Sequence, residues 1–570
     1  MPGSSRKCSF IGKKEPKELS QLVKFFWFFF SKKRTLLLPF LLFLAGAGDR
    51  CDTLVIPPGV GVGSPADVTA FNPLLVTSLY NEHVADYLFA NLLWLDKDDR
   101  IDFSRSIATK IEVFDDDTRY RVTLRPWQWS DGKPVTADDV LYTWELIQKF
   151  GTNFAGYGQG GVPTMIKNFT VLNPEQFEIT LNQPVNPDWF ELGGLTQFTP
   201  LPRHDWGRLT TDELFGGQSN PKLFSVVDGP MQIGAYNIGR SITMVDNPKY
   251  PLEHLQFKRM VEKFLESGGA ELQGIQSGEV DLANLPPEAF DAGKLVRNVH
   301  LVVEPPAFTF FYVGLNFKNP RVTFFNDVSV RQAIQDAIDQ KAMIKALWHG
   351  YGVEAYSPVP ANPDTYLSPR ARSGKLPVGF NPAKANALLD QAGYKRGADG
   401  IRSKNGIRLE FTLTVPSGTI NELMIGQFMQ PELRKIGIVM RIQMEDFNQM
   451  MATISQGIAP WESYMLFTSL GPYPSGELIF QTGGNENWGG YSDPKMDRLI
   501  EDSVNKPGLD ALFQYEDYAT EQQPSIFLPN LEYIVLERNG IMGAGHIIFP
   551  GSGYDPQLLT VDKKICDAAH

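Results

Sequence analysis

The chain has 570 residues, of which 42% are hydrophobic and 21% charged. That is enough apolar material for roughly three to four average domains or two large lobes, and it excludes a disordered or fibrous chain. The formal net charge is −12, and this acidity disfavours nucleic acid and anionic lipid surfaces as partners.

Residues 1–47 differ from the rest, with nine Lys or Arg and two acids. Lys32-Lys33-Arg34 precede an apolar run from Leu36 to Leu44, and Ala45-Gly46-Ala47 closes it with small residues. A basic stretch, a short apolar core and an A-x-A site predict a secretory signal peptide over 1–47 and a periplasmic or otherwise extracytoplasmic protein. The apolar run is shorter than the ~20 residues that span a bilayer. An earlier run, Phe25 to Phe30, reads as part of a long basic leader; an uncleaved anchor would instead bury Lys32-Lys33-Arg34 at high cost. Removing 1–47 leaves 44 basic and 63 acidic residues, a net charge of about −19. It also removes Cys8, leaving Cys51 and Cys566 near the two ends. In an exported protein a lone pair of this kind is a disulfide candidate, two unrelated thiols being the other reading. Gly48-Asp49-Arg50 is not a lipobox, so Cys51 is not read as lipidated.

Leu54-Val55-Ile56 reads as the first strand, and Pro57 to Gly63 as a turn near a cleft. Its G-x-G-x-G spacing lacks the Lys-Ser/Thr of a phosphate loop. Val84 to Leu93 predicts a helix. Tyr120, Val122 and Leu124 alternate as in a half-buried strand. Thr136-Ala137-Asp138-Asp139 has the form of a capping box at the start of a helix whose apolar face is Val140, Leu141, Trp144 and Ile147. Asp138 and Asp139 resemble a catalytic acid pair, but a helix N-terminus accounts for them. Pro163 to Leu181 predicts a hairpin. Tyr312 to Phe317 predicts an apolar strand, followed by a loop to Asp327. A helix then opens near Ser329, with Ile334, Ala337, Ile338, Ile344 and Leu347 at helical steps and Gly350 as its cap. Asn381-Pro382 opens another helix that ends at Gly393. Leu409, Phe411, Leu413 and Val415 alternate as a strand. Residues 487–493 read as a loop before a helix with Met496, Leu499 and Ile500. Ile526 to Leu536 reads as one strand-like segment.

Several of these blocks are similar to signatures of the family-5 extracellular solute-binding proteins, the receptors of peptide and nickel ABC importers. They are Trp129-Ser130-Asp131-Gly132 through Val140, Asn247-Pro248-Lys249-Tyr250, Ser277-Gly278-Glu279-Val280-Asp281, and Asn316 with Asp327, Arg331-Gln332-Ala333 and Ala337-Ile338-Asp339. The resemblance spans about residue 52 to 540. It implies an α/β, two-lobed periplasmic-binding-protein fold of the large class, with mixed sheets flanked by helices and a hinge. Lobe I would comprise 48–305 and 516–570, with an extra subdomain at about 85–225, and lobe II would comprise 306–515. It also places both chain ends in one lobe, where Cys51 and Cys566 could meet.

The sequence holds little that suggests catalysis. Its seven histidines are scattered, none in an H-E-x-x-H arrangement, and no G-x-S-x-G elbow is present. His204 and His349 read as local hydrogen-bonding residues. No enzymatic activity, no cofactor and no metal site are expected. The expected partners are a small-molecule or oligopeptide ligand and the subunits of an ABC permease, with no nucleic acid, and the protein is expected to be a monomer. By the resemblance, Phe467-Thr468-Ser469-Leu470 and Tyr473 correspond to the cleft segment. Peptide receptors place there an Asp that pairs with the ligand's α-amino group, and Leu470 stands at that position. Trp461, Asn485, Asn487 and Trp488 add rings and amides, a mixture that also suits an oligosaccharide. The expected function is therefore a receptor that captures an oligopeptide or similar polar solute. Two alternatives are an oligosaccharide receptor of the same family and a secreted hydrolase or folding factor on a similar scaffold.

Overall fold

The computed structural model describes residues 51–59, 68–76, 78–265, 267–305, 309–417, 420–456, 461–469, 471–548 and 555–569. The signal-peptide reading of 1–47 and most of the turn at Pro57 to Gly63 lie outside the described residues.

Four sheets carry the fold. In the first, Thr53–Ile56 pairs in parallel with Arg259–Lys263, and Ser241–Asp246 and Met231–Asn237 extend it antiparallel. The second is an antiparallel trio of Val299–Glu304, Tyr533–Arg538 and Leu282–Asn284. The third is an antiparallel sheet ordered Ala108–Phe114, Arg119–Leu124, Gln176–Leu181 and Ile166–Asn173. The fourth is mixed and five-stranded, ordered Val439–Glu445, Glu410–Pro416, Ser463–Ser469, Thr309–Leu315 and Ile526–Leu528.

Alternation along Thr309–Leu315 explains how the fifth-strand layer is buried on both faces. Phe311, Val313 and Leu315 enter one core with Ile334, Leu389, Met429 and Phe411. Phe310 and Tyr312 point the other way, into the large core that also contains Tyr464, Phe480 and Phe527. Period-two side-chain placement puts these two sets on opposite faces of the sheet.

Capping side chains start three of the helices. Thr136 and Asp139 make both halves of a capping box on the helix Ala137–Phe150. Asn381 caps Pro382–Gln391 through the Lys384 amide, and Asp493 caps Pro494–Asn505. Three readings are corrected. The helix expected from Ser329 to Gly350 is two helices, Val328–Ala337 and Gln340–Leu347. Ile338 is extended between them, and the Asp339 carboxylate accepts the Ala342 amide to start the second helix. The helix expected at Val84 to Leu93 lies earlier, at Leu79–Leu88. The single segment from Ile526 to Leu536 is three strands: Ile526–Leu528 joins the five-stranded sheet, Asn530–Leu531 pairs with Gly352–Val353, and Tyr533–Arg538 joins the trio. Hydrophobicity alone could not show that break, because all three pieces are apolar.

Cys51 and Cys566 form a disulfide across 515 positions of sequence. Among the described residues, no helix is long and apolar enough to cross a membrane.

Candidate functional site

The strand Ser463–Ser469 is held along its whole length by Thr309–Leu315, with Phe311 opposite Phe467 and Thr309 opposite Ser469. Its other edge meets Glu410–Pro416 at Ser463 and Tyr464. Beyond Tyr464, that edge takes part in no strand pairing among the described residues. A row of backbone donors and acceptors therefore remains at Met465 to Ser469, the geometry to which an extended chain can add as a further strand.

Phe467 is 45% exposed although it lies in a sheet interior. Its ring is 6.4 Å from that of Phe311. Thr468 beside it is half-buried. Ser469 is placed by its backbone pairing, and Leu470 lies outside the described residues.

At the other end of the strand, Trp461 is fixed by its carbonyl, which accepts the side-chain amides of Asn316 (2.9 Å) and Asn319 (2.8 Å). Glu462 follows, its carboxylate accepting the Thr412 amide at 2.7 Å. This is the local role of Asn316, one of the residues that carried the family resemblance. Tyr464 then stands between two indoles, 5.3 Å from the Trp461 ring and 5.9 Å from that of Trp488. Its hydroxyl is 3.4 Å from the hydroxyl of Tyr312. Burial pushes both phenols up, and Glu486 nearby adds to the shift. Burial raises the Glu486 carboxyl in turn. The Trp461 indole N–H is buried and has no hydrogen-bond partner among the described residues.

The remaining candidates divide by what their polar groups already do. Asn487 donates to the carbonyls of Gln481 and Tyr491, each at 2.8 Å, and accepts the Tyr491 amide at 2.9 Å. The Tyr473 hydroxyl accepts from Asn186 at 2.9 Å and donates to the Ser503 carbonyl at 3.1 Å. Both side chains are used to build the fold around the site. Asn485 is exposed, and Trp488 is half-buried.

The structure thus brings Trp461, Trp488, Phe467 and Thr468 onto or beside one strand. It adds Phe311, Tyr312 and Tyr464 to them. Phe311 and Tyr312 were missed as site residues because only the register of the ladder places them opposite Phe467 and Leu466.

Histidines serve local bonds: His204 is 2.9 Å from Asp131, and His349 stacks on Phe290 at 4.6 Å. Among the described residues, no group of three or more His, Cys, Asp or Glu side chains could hold a metal ion.

Residues 102–483 match the family model described as bacterial extracellular solute-binding proteins, family 5. The oligopeptide-binding protein AppA of Bacillus subtilis is 25% identical over 478 residues, covering 82% of this chain and 85% of its own. The structure of that AppA in complex with a nonapeptide superposes with a TM-score of 0.68 at 22% identity, over 90% of this chain and 99% of the other. NikA of Brucella suis in complex with Fe(III)-EDTA gives a TM-score of 0.74 at 19% identity, over 90% and 100% of the two chains. The overlap is nearly end to end, so the two-lobed binding-protein fold is the fold of this chain.

Proposed function

The chain belongs to the family 5 bacterial extracellular solute-binding proteins, and from that premise we propose that it is the extracytoplasmic receptor of an ABC importer whose solute is an oligopeptide. It binds the solute between two closing lobes and delivers it to a membrane permease; no bond is made or broken. We place lobe I in 48–305 and 516–570, with the extra subdomain at about 85–225, and lobe II in 306–515. The strand Ile526–Leu528 is shared, since it pairs with Thr309–Leu315. Lobe contacts to one ligand favour the closed form, which the permease recognises.

The observation that carries the peptide reading is the open edge of Ser463–Ser469 past Tyr464. A ladder of main-chain hydrogen bonds gives affinity for any extended peptide, and neighbouring rings such as Phe467 and Trp488 supply side-chain contact. AppA, the relative whose structure holds a nonapeptide, has this fold. By the family resemblance Leu470 replaces an acid that pairs with a peptide's amino terminus, so the amino group needs another partner here.

A second reading, an oligosaccharide ligand, draws on the Trp461–Tyr464–Trp488 ring cluster. A thermal-shift screen of residues 48–570 against tri- to nonapeptides and a panel of oligosaccharides separates the two. A ligand at 100 times its dissociation constant adds about 2.7 kcal/mol, a shift of a few degrees. Peptide hits that vanish when the backbone is N-methylated support strand addition. Sugar hits with silent peptides overturn the peptide reading. Release of a cleaved product would overturn the receptor role itself.

A further inference from the structure

We propose that Asn186 is a positioning residue for solute capture: without touching the solute, it latches the two lobes in their closed arrangement and so sets the affinity for every ligand. The proposal rests on the lobe assignment and the closing movement given above.

Asn186 is 0% exposed and belongs to the stretch assigned to the extra subdomain of lobe I. Its side-chain nitrogen is within 3.0 Å of three acceptors, the Tyr473 hydroxyl and the carbonyls of Ser503 and Gly508. Its backbone N–H donates to the Val504 carbonyl at 2.7 Å. All four partners belong to lobe II. The side-chain oxygen stays on its own side, where it accepts the Asp188 amide at 3.1 Å and caps the turn Pro187–Trp189. The backbone carbonyl accepts the Phe190 amide, so no polar atom of Asn186 is left for a solute. Further bonds cross the same seam. The Trp189 indole N–H donates to the Glu477 carboxylate at 3.0 Å. The Thr365 hydroxyl donates to the Asp98 carbonyl at 2.7 Å, and the Tyr366 hydroxyl to the Asp99 carbonyl at 3.2 Å. The Tyr366 ring lies 5.8 Å from that of Tyr473, which joins the two groups of bonds into one seam.

The chemistry of the seam suits a contact that forms and breaks. Its bonds join amide, indole and hydroxyl donors to oxygen acceptors, and water satisfies both sides once the lobes part. Opening therefore strands no polar group, and each bond gives only a modest net gain over its hydrated state. The buried rings of the seam, Trp189, Tyr366 and Tyr473, each carry a polar tip. Three acceptors around one amide also fix the register, because a lobe displaced by a few ångströms satisfies none of them. The latch thus sets the fraction of molecules that are closed. A solute that needs the closed form binds with its affinity reduced by that fraction. Loosening the latch weakens every solute by one common factor, whereas a residue in contact with the solute discriminates among them.

The test uses residues 48–570, whose two cysteines are bridged. Lys167→Cys and Lys435→Cys, exposed sites in the two lobes, take spin labels. Label distances and peptide affinities are compared for the parent, Asn186→Ala and Thr365→Val. Both variants are expected to transfer population from the closed distance to a second one. The dissociation constants of Ala-Ala-Lys-Ala-Ala and Ala-Ala-Phe-Ala-Ala should rise by the same factor, about threefold or more, through faster dissociation. Unchanged distances with unchanged affinities overturn the latch, and so does a loss confined to one peptide. If Asn186→Ala no longer melts cooperatively, Thr365→Val, which removes one hydroxyl from the same seam, decides in its place. If the parent binds neither peptide, the peptide reading fails while the label distances still decide the latch.

Discussion

Gly314 shows how one residue sets the geometry of the candidate site. It is opposite Tyr464 in the ladder, and a Cβ there would fall 2.2 Å from the tyrosine ring. The bare backbone lets the ring lie flat over the strand, between Trp461 and Trp488. Gly314→Ala forces the ring to move and is expected to cost about 1–3 kcal/mol; a urea midpoint measures it. Phe467 is the contrasting residue. Its ring is nearly half exposed, so Phe467→Ala should change stability by about 0.5 kcal/mol or less. If Phe467 contacts the ligand, the same change should weaken peptide binding severalfold in a calorimetric titration. An unchanged affinity would remove Phe467 from the site.

At the scale of elements, the helix Val328–Ala337 serves as a clamp on the chain's return to the five-stranded sheet. Gln335 donates to the Phe527 carbonyl at 2.9 Å and accepts its amide at 2.8 Å. Gln340, in the following helix, donates to the same carbonyl. Buried Arg331 donates to the carbonyls of Phe325, Gln522 and Gln523. These polar residues on an otherwise apolar helix therefore specify which segment forms the outer strand. Gln335→Leu leaves the buried Phe527 amide without its acceptor and should cost about 1–3 kcal/mol. Faster hydrogen exchange at 526–528 than at 309–315 would localise the effect. The break after Ala337 is also testable: Asp339→Ala removes the cap of the second helix, at about 1 kcal/mol.

The whole molecule is closed at its ends. The Cys51–Cys566 bridge ties the first strand to the last helix, and Asp52 beside it pairs with Lys258 and Lys563, each at 2.7 Å. Reduction, or Cys51→Ala with Cys566→Ala, is expected to lower stability by about 2–4 kcal/mol. Ligand affinity should be kept, because the bridge is at the end of the sheet away from the five-stranded layer. Stability should also depend on pH in a definite direction. Burial raises Glu262 to about 8 and Glu271, Glu516 and Asp555 to about 7. The folded state holds these protons where the unfolded chain, with carboxyls near 4, has released them. Their contribution is therefore full below about 4, is lost progressively as pH rises above that, and is gone once pH passes the folded values of 7 to 8. His83 acts oppositely: burial pulls it down to about 3, so it opposes folding once the unfolded chain protonates below about 6.5. The melting temperature is expected to rise as pH falls from about 8 to about 4.5, with His83 offsetting part of the gain below about 6.5, and to level off below that. A flat profile between about 4.5 and 8 would show that these carboxyls ionise in the folded protein.

Sequence alone determined what local chemistry controls. Caps at Thr136 and Asn381 declared their helices, because a side chain three residues away satisfies the orphan amides wherever the helix packs. Alternation at Tyr120–Leu124 and Leu409–Val415 declared strands and their buried faces. The clustered signatures at fixed spacing declared the family. Tertiary structure alone decided the rest. Phe311 meets Phe467, and Tyr464 covers Gly314, through a ladder register between segments some 150 residues apart (Gly314 to Tyr464). The same strand's free edge exists because Glu410–Pro416 pairs with it at two positions. Ile526 to Leu536 divides among three sheets, and distant Gln335 and Gln340 grip its start at Phe527. Glu262 looks in the sequence like any strand acid between Val261 and Lys263. Only the sheet shows that its face is the buried one. Local patterns fix conformation through contacts a few residues away, whereas a binding site is made of groups whose proximity is created by folding itself.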